Sequence, residues 1–65
     1  MLSVLDIWRA AKLLIFHHGD AAPIQAEMRA DEMLDAGNMD EKRVWLRTKA
    51  ATEQLLRETP KRPLH

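Results

Sequence analysis

The stretch that constrains this chain most is residues 30–47, ADEMLDAGNMDEKRVWLR. Ala30, Met33 and Leu34 continue one helical pattern, Val44 and Trp45 open another, and Gly37-Asn38 stands between them. Glycine enters the left-handed backbone region without steric cost and is the usual residue just past a helix end. Asn is a strong N-cap for the helix that follows. Glu41, three residues after Asn38, has capping-box spacing, although Ser or Thr is the usual first member; Asp40 is the competing cap. A helix, a tight Gly-containing turn and a second helix predict a helix-turn-helix corner in an all-α chain.

The preceding helix is predicted over about residues 21–36. Asp20 is its candidate cap, and Pro23 is tolerated in a first turn where its missing N–H would be unsatisfied anyway. Its inner face is expected to be Ala22, Ala26, Ala30, Met33 and Leu34, a mostly small-residue stripe that lets another helix approach closely. Ile24 and Met28 fall on a different, half-exposed face. The following helix, about residues 39–58, carries the stripe Val44, Thr48, Ala51 and Leu55, flanked by Trp45, Thr52 and Leu56. Thr59-Pro60 stops it, because the residue before a proline disfavours the α region. Residues 60–65 hold too little apolar content to pack and are expected to be a disordered tail.

A first helix is predicted over about residues 4–18. Ser3 with Asp6 has capping-box spacing, His17 and His18 suit the negative end of the helix dipole, and Gly19 is placed to terminate the helix. Val4, Ile7, Trp8, Ala11, Leu14, Ile15 and His18 share one face and form the expected core side. Leu2, Leu5, Leu13 and Phe16 lie on the other side, interleaved with Arg9 and Lys12. A helix that is apolar on two sides is usually buried on two sides. A chain of three short helices leaves that second side no internal partner, so Leu2, Leu5, Leu13 and Phe16 are the predicted oligomer interface.

Size points the same way. With 65 residues the chain is one domain, expected over residues 1–59. Such a chain buries only about 60% of the surface its unfolded form exposes. Small domains usually add a disulfide, a metal or another subunit. Cysteine is absent, which removes disulfides and thiolate metal sites and fits a reducing cytoplasm. A homodimer is the remaining expectation, and the fold class is a compact, oligomeric all-α three-helix bundle, packed as a small antiparallel bundle or a helix-turn-helix corner.

Ten basic and ten acidic residues cancel, so net charge argues for no nucleic acid, membrane or acidic substrate. The distribution is uneven: residues 1–18 carry +1, residues 19–41 carry −6 and residues 42–65 carry +5. The acidic middle and the basic end can attract each other within or between chains. No apolar run approaches the roughly 18 residues of a membrane span. Asp6, Arg9 and Lys12 interrupt the N-terminal apolar segment and no small-residue cleavage site follows it, so a signal peptide is not expected. The expected location is cytoplasmic.

His18-Gly19-Asp20, Arg29-Ala30-Asp31-Glu32-Met33-Leu34, Gly37-Asn38-Met39-Asp40 and Val44-Trp45-Leu46-Arg47 together resemble a family of very short bacterial proteins of uncharacterised function. The resemblance spans most of residues 6–58. Its motifs are helix caps and core positions, so it implies an all-helical fold and carries over no activity and no catalytic residue.

Candidate chemistry is sparse. His17 and His18 are adjacent, and adjacent helical residues point about 100° apart, so one metal cannot easily take both imidazoles. Counted as a calcium loop from Asp35, the third position is Gly37, the sixth Asp40 and the twelfth Leu46, which breaks the EF-hand pattern. Glu27, Asp31, Glu32 and Asp35 fall on the outer part of the second helix with no nucleophile beside them, and read as a solvated face. No enzyme, cofactor or metal is expected. Lys42, Arg43, Arg47, Lys49 and Arg57 spread over the outer side of the third helix, the layout of a helix-turn-helix DNA reader. Against that stand the neutral total charge and the acidic segment that would lie near the phosphates. Trp45 either completes the core or anchors a partner, with Arg47 nearby in sequence. Arg43, Trp45, Arg47 and Lys49 are therefore the candidate contacts for a partner or nucleic acid. The preferred reading is a non-catalytic protein-interaction or regulatory module acting through helix surfaces. A DNA-binding regulator using the third helix is the rival, and a small-molecule site between subunits a weaker third.

Overall fold

The computed structural model describes residues 3–58. Leu2 and the expected disordered tail at residues 60–65 lie outside the described residues. Helix α1 spans Val4–His18, a 3-10 turn spans Gly19–Ala21, α2 spans Ala22–Asp35 and α3 spans Met39–Glu58. Among the described residues only Ser3 and residues 36–38 are not helical, and no strand occurs. The chain is all-α, but its helical residues form two uninterrupted runs, 4–35 and 39–58, where three separate helices were expected. The reason lies at Gly19. It takes φ +59° and ψ −130°, which ends α-helical geometry, and the 3-10 turn then carries the chain straight into α2.

The α-helical ends from Ser3 to the start of α3 have local causes. Ser3 Oγ accepts from the Asp6 amide and an Asp6 carboxylate oxygen accepts from the Ser3 amide, both at 3.2 Å, a complete capping box. The Gly19 amide donates to the Ile15 carbonyl at the other end of α1. Asp20 does not cap α2, contrary to expectation. No side chain caps that end; the Ala22 amide donates to the Gly19 carbonyl, and Pro23 stands in the first turn. The 3-10 turn supplies a backbone acceptor, so a side-chain cap has nothing left to do there.

At the other break, Gly37 has φ +76°. Its amide donates to the Leu34 carbonyl at 3.0 Å and the Asn38 amide donates to the Met33 carbonyl at 2.8 Å. That pair of bonds is the Schellman motif, and it satisfies two of the last carbonyls of α2. Asn38 Oδ1 then accepts from the Glu41 amide at 3.1 Å and starts α3.

The α2–α3 pairing is the most extensive in the molecule. Glu27 and Lys49 meet across it at 3.2 Å. Each stands about ten residues from the turn, hence about 15 Å along its own helix axis. Two side chains can touch that far from the turn only when the helices run antiparallel side by side. Of the two expected arrangements, an antiparallel bundle or a helix-turn-helix corner, α2 and α3 therefore take the antiparallel one and form a helical hairpin. The small residues Ala22, Ala26 and Ala30 are the buried face of α2 and allow this close approach.

Helix α1 lies across α3. Ile7 and Ala11 pack with Ala51, and Trp8 and Leu55 close the cluster. Asp6 and Ala10 stand on one side of the crossing with Glu41, Val44 and Trp45; Val4 and Trp8 stand on the other with Arg47, Ala50 and Gln54.

The resulting core is thin. Its fully buried positions are small residues, and the largest fully buried side chains are Thr48 and Thr52. Both hydroxyls are satisfied inside α3: Thr48 donates to the Val44 carbonyl at 2.9 Å and Thr52 to the Lys49 carbonyl at 2.6 Å. Several expected core residues are not buried. Val4 is 65% exposed, Leu34 is 47% exposed and His18 is exposed, because α3 covers α1 only around Ile7 and Ala11 and covers the alanine face of α2. Trp8, Leu14, Ile15, Met33, Val44, Trp45, Leu55 and Leu56 are half-buried.

Candidate functional site

The most exposed apolar surface lies on α1. Leu5, Leu13 and Phe16 are 57%, 59% and 81% exposed, on the side of the helix opposite Ile7 and Ala11. At 100° per residue, Leu5, Arg9, Lys12, Leu13 and Phe16 fall within one stripe, and Arg9 and Lys12 are also exposed. The Phe16 ring meets the His17 ring edge-on, with centroids 5.2 Å apart and planes at 78°. Phe16 stays largely open to solvent despite that contact. Large exposed apolar groups gathered on one face mark an interaction surface more often than a chance scatter does.

The four residues singled out on α3 do not form one patch. Arg43 and Arg47 are four apart and share one face, while Trp45 and Lys49 share another. Lys49 is only half exposed and its ammonium is bound to Glu27 at 3.2 Å, so it braces the hairpin. Trp45 is half-buried in an open cleft of about 80 Å³ beside Asp6, Ile7, Ala10, Glu41, Val44 and Thr48. Arg47 lines a second cleft of about 200 Å³ on the other side of α1, with Val4, Trp8, Ala50 and Gln54. The crossing of α1 over α3 separates them.

Among the described residues no metal-binding arrangement is brought together. His17 and His18 have ring centroids 6.4 Å apart, and the described residues contain no cluster of three or more His, Asp or Glu side chains able to hold an ion. Among the described residues no helix is long and apolar enough to cross a membrane.

A second outward stripe is less evident in the sequence. Ile24, Met28, Asp31 and Asp35 follow one another on α2 at steps of four, three and four, and all are exposed, Ile24 by 60% and Met28 by 51%. The spacing was readable; what hid it was that its two halves differ, one apolar and one acidic.

No protein-family model, curated protein or solved structure is significantly similar to this chain.

Proposed function

We propose that the protein is a non-catalytic interaction or regulatory module that self-associates through the outward face of α1 and offers its remaining helix surfaces to a partner. Membership of the very short bacterial proteins it resembles is part of this proposal. One observation carries the reading: Leu5, Leu13 and Phe16 stand 57–81% exposed on a single face in a chain whose own core is built from small residues. Burying them between copies supplies the apolar burial that one copy lacks, at about 25 cal/mol per Å².

The test is solution mass by light scattering across a dilution series. Leu13→Glu with Phe16→Glu is expected to give a folded monomer where the unaltered protein associates. A variant that keeps the associated mass places the interface elsewhere.

The rival reading, a DNA regulator using α3, is supported by the exposed pair Arg43 and Arg47. It is weakened by the antiparallel α2–α3 hairpin and by the engagement of Lys49 with Glu27. Binding to generic duplex DNA that falls steeply with salt would favour the rival, since phosphate contacts release counterions.

A further inference from the structure

We propose that the outward stripe of α1 in one copy seats on the outward stripe of α2 in a second copy. The inference rests on the self-association argued above and names the surface that covers α1.

The two stripes are complementary. On α1, apolar Leu5, Leu13 and Phe16 flank basic Arg9 and Lys12; on α2, apolar Ile24 and Met28 precede acidic Asp31 and Asp35. The charges are available. Among the described residues Lys12, Asp31 and Asp35 are in no ion pair, and Arg9 reaches Asp6 only at 4.0 Å with both side chains well exposed. Both stripes rise by the same increment per residue, so their registers can be compared directly. Laid antiparallel with Phe16 against Ile24, Lys12 comes level with Met28 and Leu13 within one residue of it, Arg9 level with Asp31 and Leu5 level with Asp35. Phe16 and Leu13 then meet Ile24 and Met28, and Arg9 meets Asp31 with Lys12 within one turn of it, while Leu5 lies against Asp35 at the end of the contact.

Packing α1 on α1 does not achieve this. An antiparallel pair that sets Leu5 against Phe16 of the other copy sets Arg9 level with Lys12, and like charges across an interface cost association. The acidic half of the α2 stripe removes that conflict.

The experiment is sedimentation equilibrium at low and raised salt on the full chain, on two charge-reversed variants and on their equimolar mixture. The variants are Arg9→Asp with Lys12→Asp, and Asp31→Lys with Asp35→Lys. All four positions are exposed, and circular dichroism confirms that each variant is folded. Each variant alone is expected to associate about tenfold or more weakly than the unaltered chain. The mixture is expected to regain association, because the acidic α1 of one variant meets the basic α2 of the other. Raised salt should narrow these differences. Unchanged association of the α2 variant, with Leu13→Glu/Phe16→Glu still monomeric, overturns this inference and leaves self-association through α1 standing. An unaltered chain that is monomeric throughout overturns the self-association itself.

Discussion

The Asn38 amide donates to the Met33 carbonyl at 2.8 Å while the Asn38 side chain accepts from the Glu41 amide at 3.1 Å, so one residue closes α2 and opens α3. Its own carbonyl accepts from the Lys42 amide at 3.0 Å. The whole α2–α3 hairpin turns on this residue and on Gly37 before it.

Asn38→Ala is expected to cost about 1 kcal/mol, the usual loss when a cap is removed. In a domain of this size that lowers Tm by roughly 4–8 °C. Gly37→Ala is expected to cost about 1–2 kcal/mol through its positive φ alone, since a Cβ at Gly37 meets nothing within 4 Å. Thermal unfolding followed by circular dichroism measures both.

The buried alanines predict a different sensitivity. Ala26 is fully buried in the α2 face that packs on α3, so Ala26→Leu should force the hairpin apart and destabilise by about 1–3 kcal/mol. Thr48→Val should change stability by less than about 1 kcal/mol, because the Val44 carbonyl it bonds also lies within the helix ladder. A loss from Thr48→Val as large as that from Ala26→Leu would show that the hydroxyl has a role beyond its own helix.

The Glu27–Lys49 pair orients the hairpin more than it stabilises it. Their side chains are 53% and 31% exposed, so solvent screens the pair. Glu27→Gln is expected to lower stability by less than about 1 kcal/mol, and by still less at high salt. Chemical denaturation at two salt concentrations checks this.

Leu13→Glu with Phe16→Glu should leave the unfolding free energy of the isolated chain within about 0.5 kcal/mol, as surface substitutions do. Both side chains are more than half exposed, and neither belongs to the Ile7–Ala11–Ala51 cluster. Loss of helicity at high dilution, where association no longer contributes, would show that these residues support the fold itself.

The sequence by itself determined the helices, because their ends are set by contacts within three to five residues: Ser3 with Asp6, Gly19 with Ile15, and Gly37 and Asn38 with Leu34 and Met33. It also determined that Leu5, Leu13 and Phe16 share a face, since that follows from helical spacing alone. Only the tertiary structure decided which parts of each stripe are covered. Periodicity marks Val4 and Leu34 as core-facing, yet the crossing of α1 over α3 shelters Ile7 and Ala11 and leaves Val4 outside, and the packing of α3 on the alanine face of α2 leaves Leu34 outside. The same crossing parts Trp45 from Arg47, and the antiparallel packing of α2 on α3 commits Lys49 to Glu27. A helix end is a local balance of backbone hydrogen bonds. The placement of a face depends on how far one helix axis leans across another, which residue spacing along a single helix does not encode.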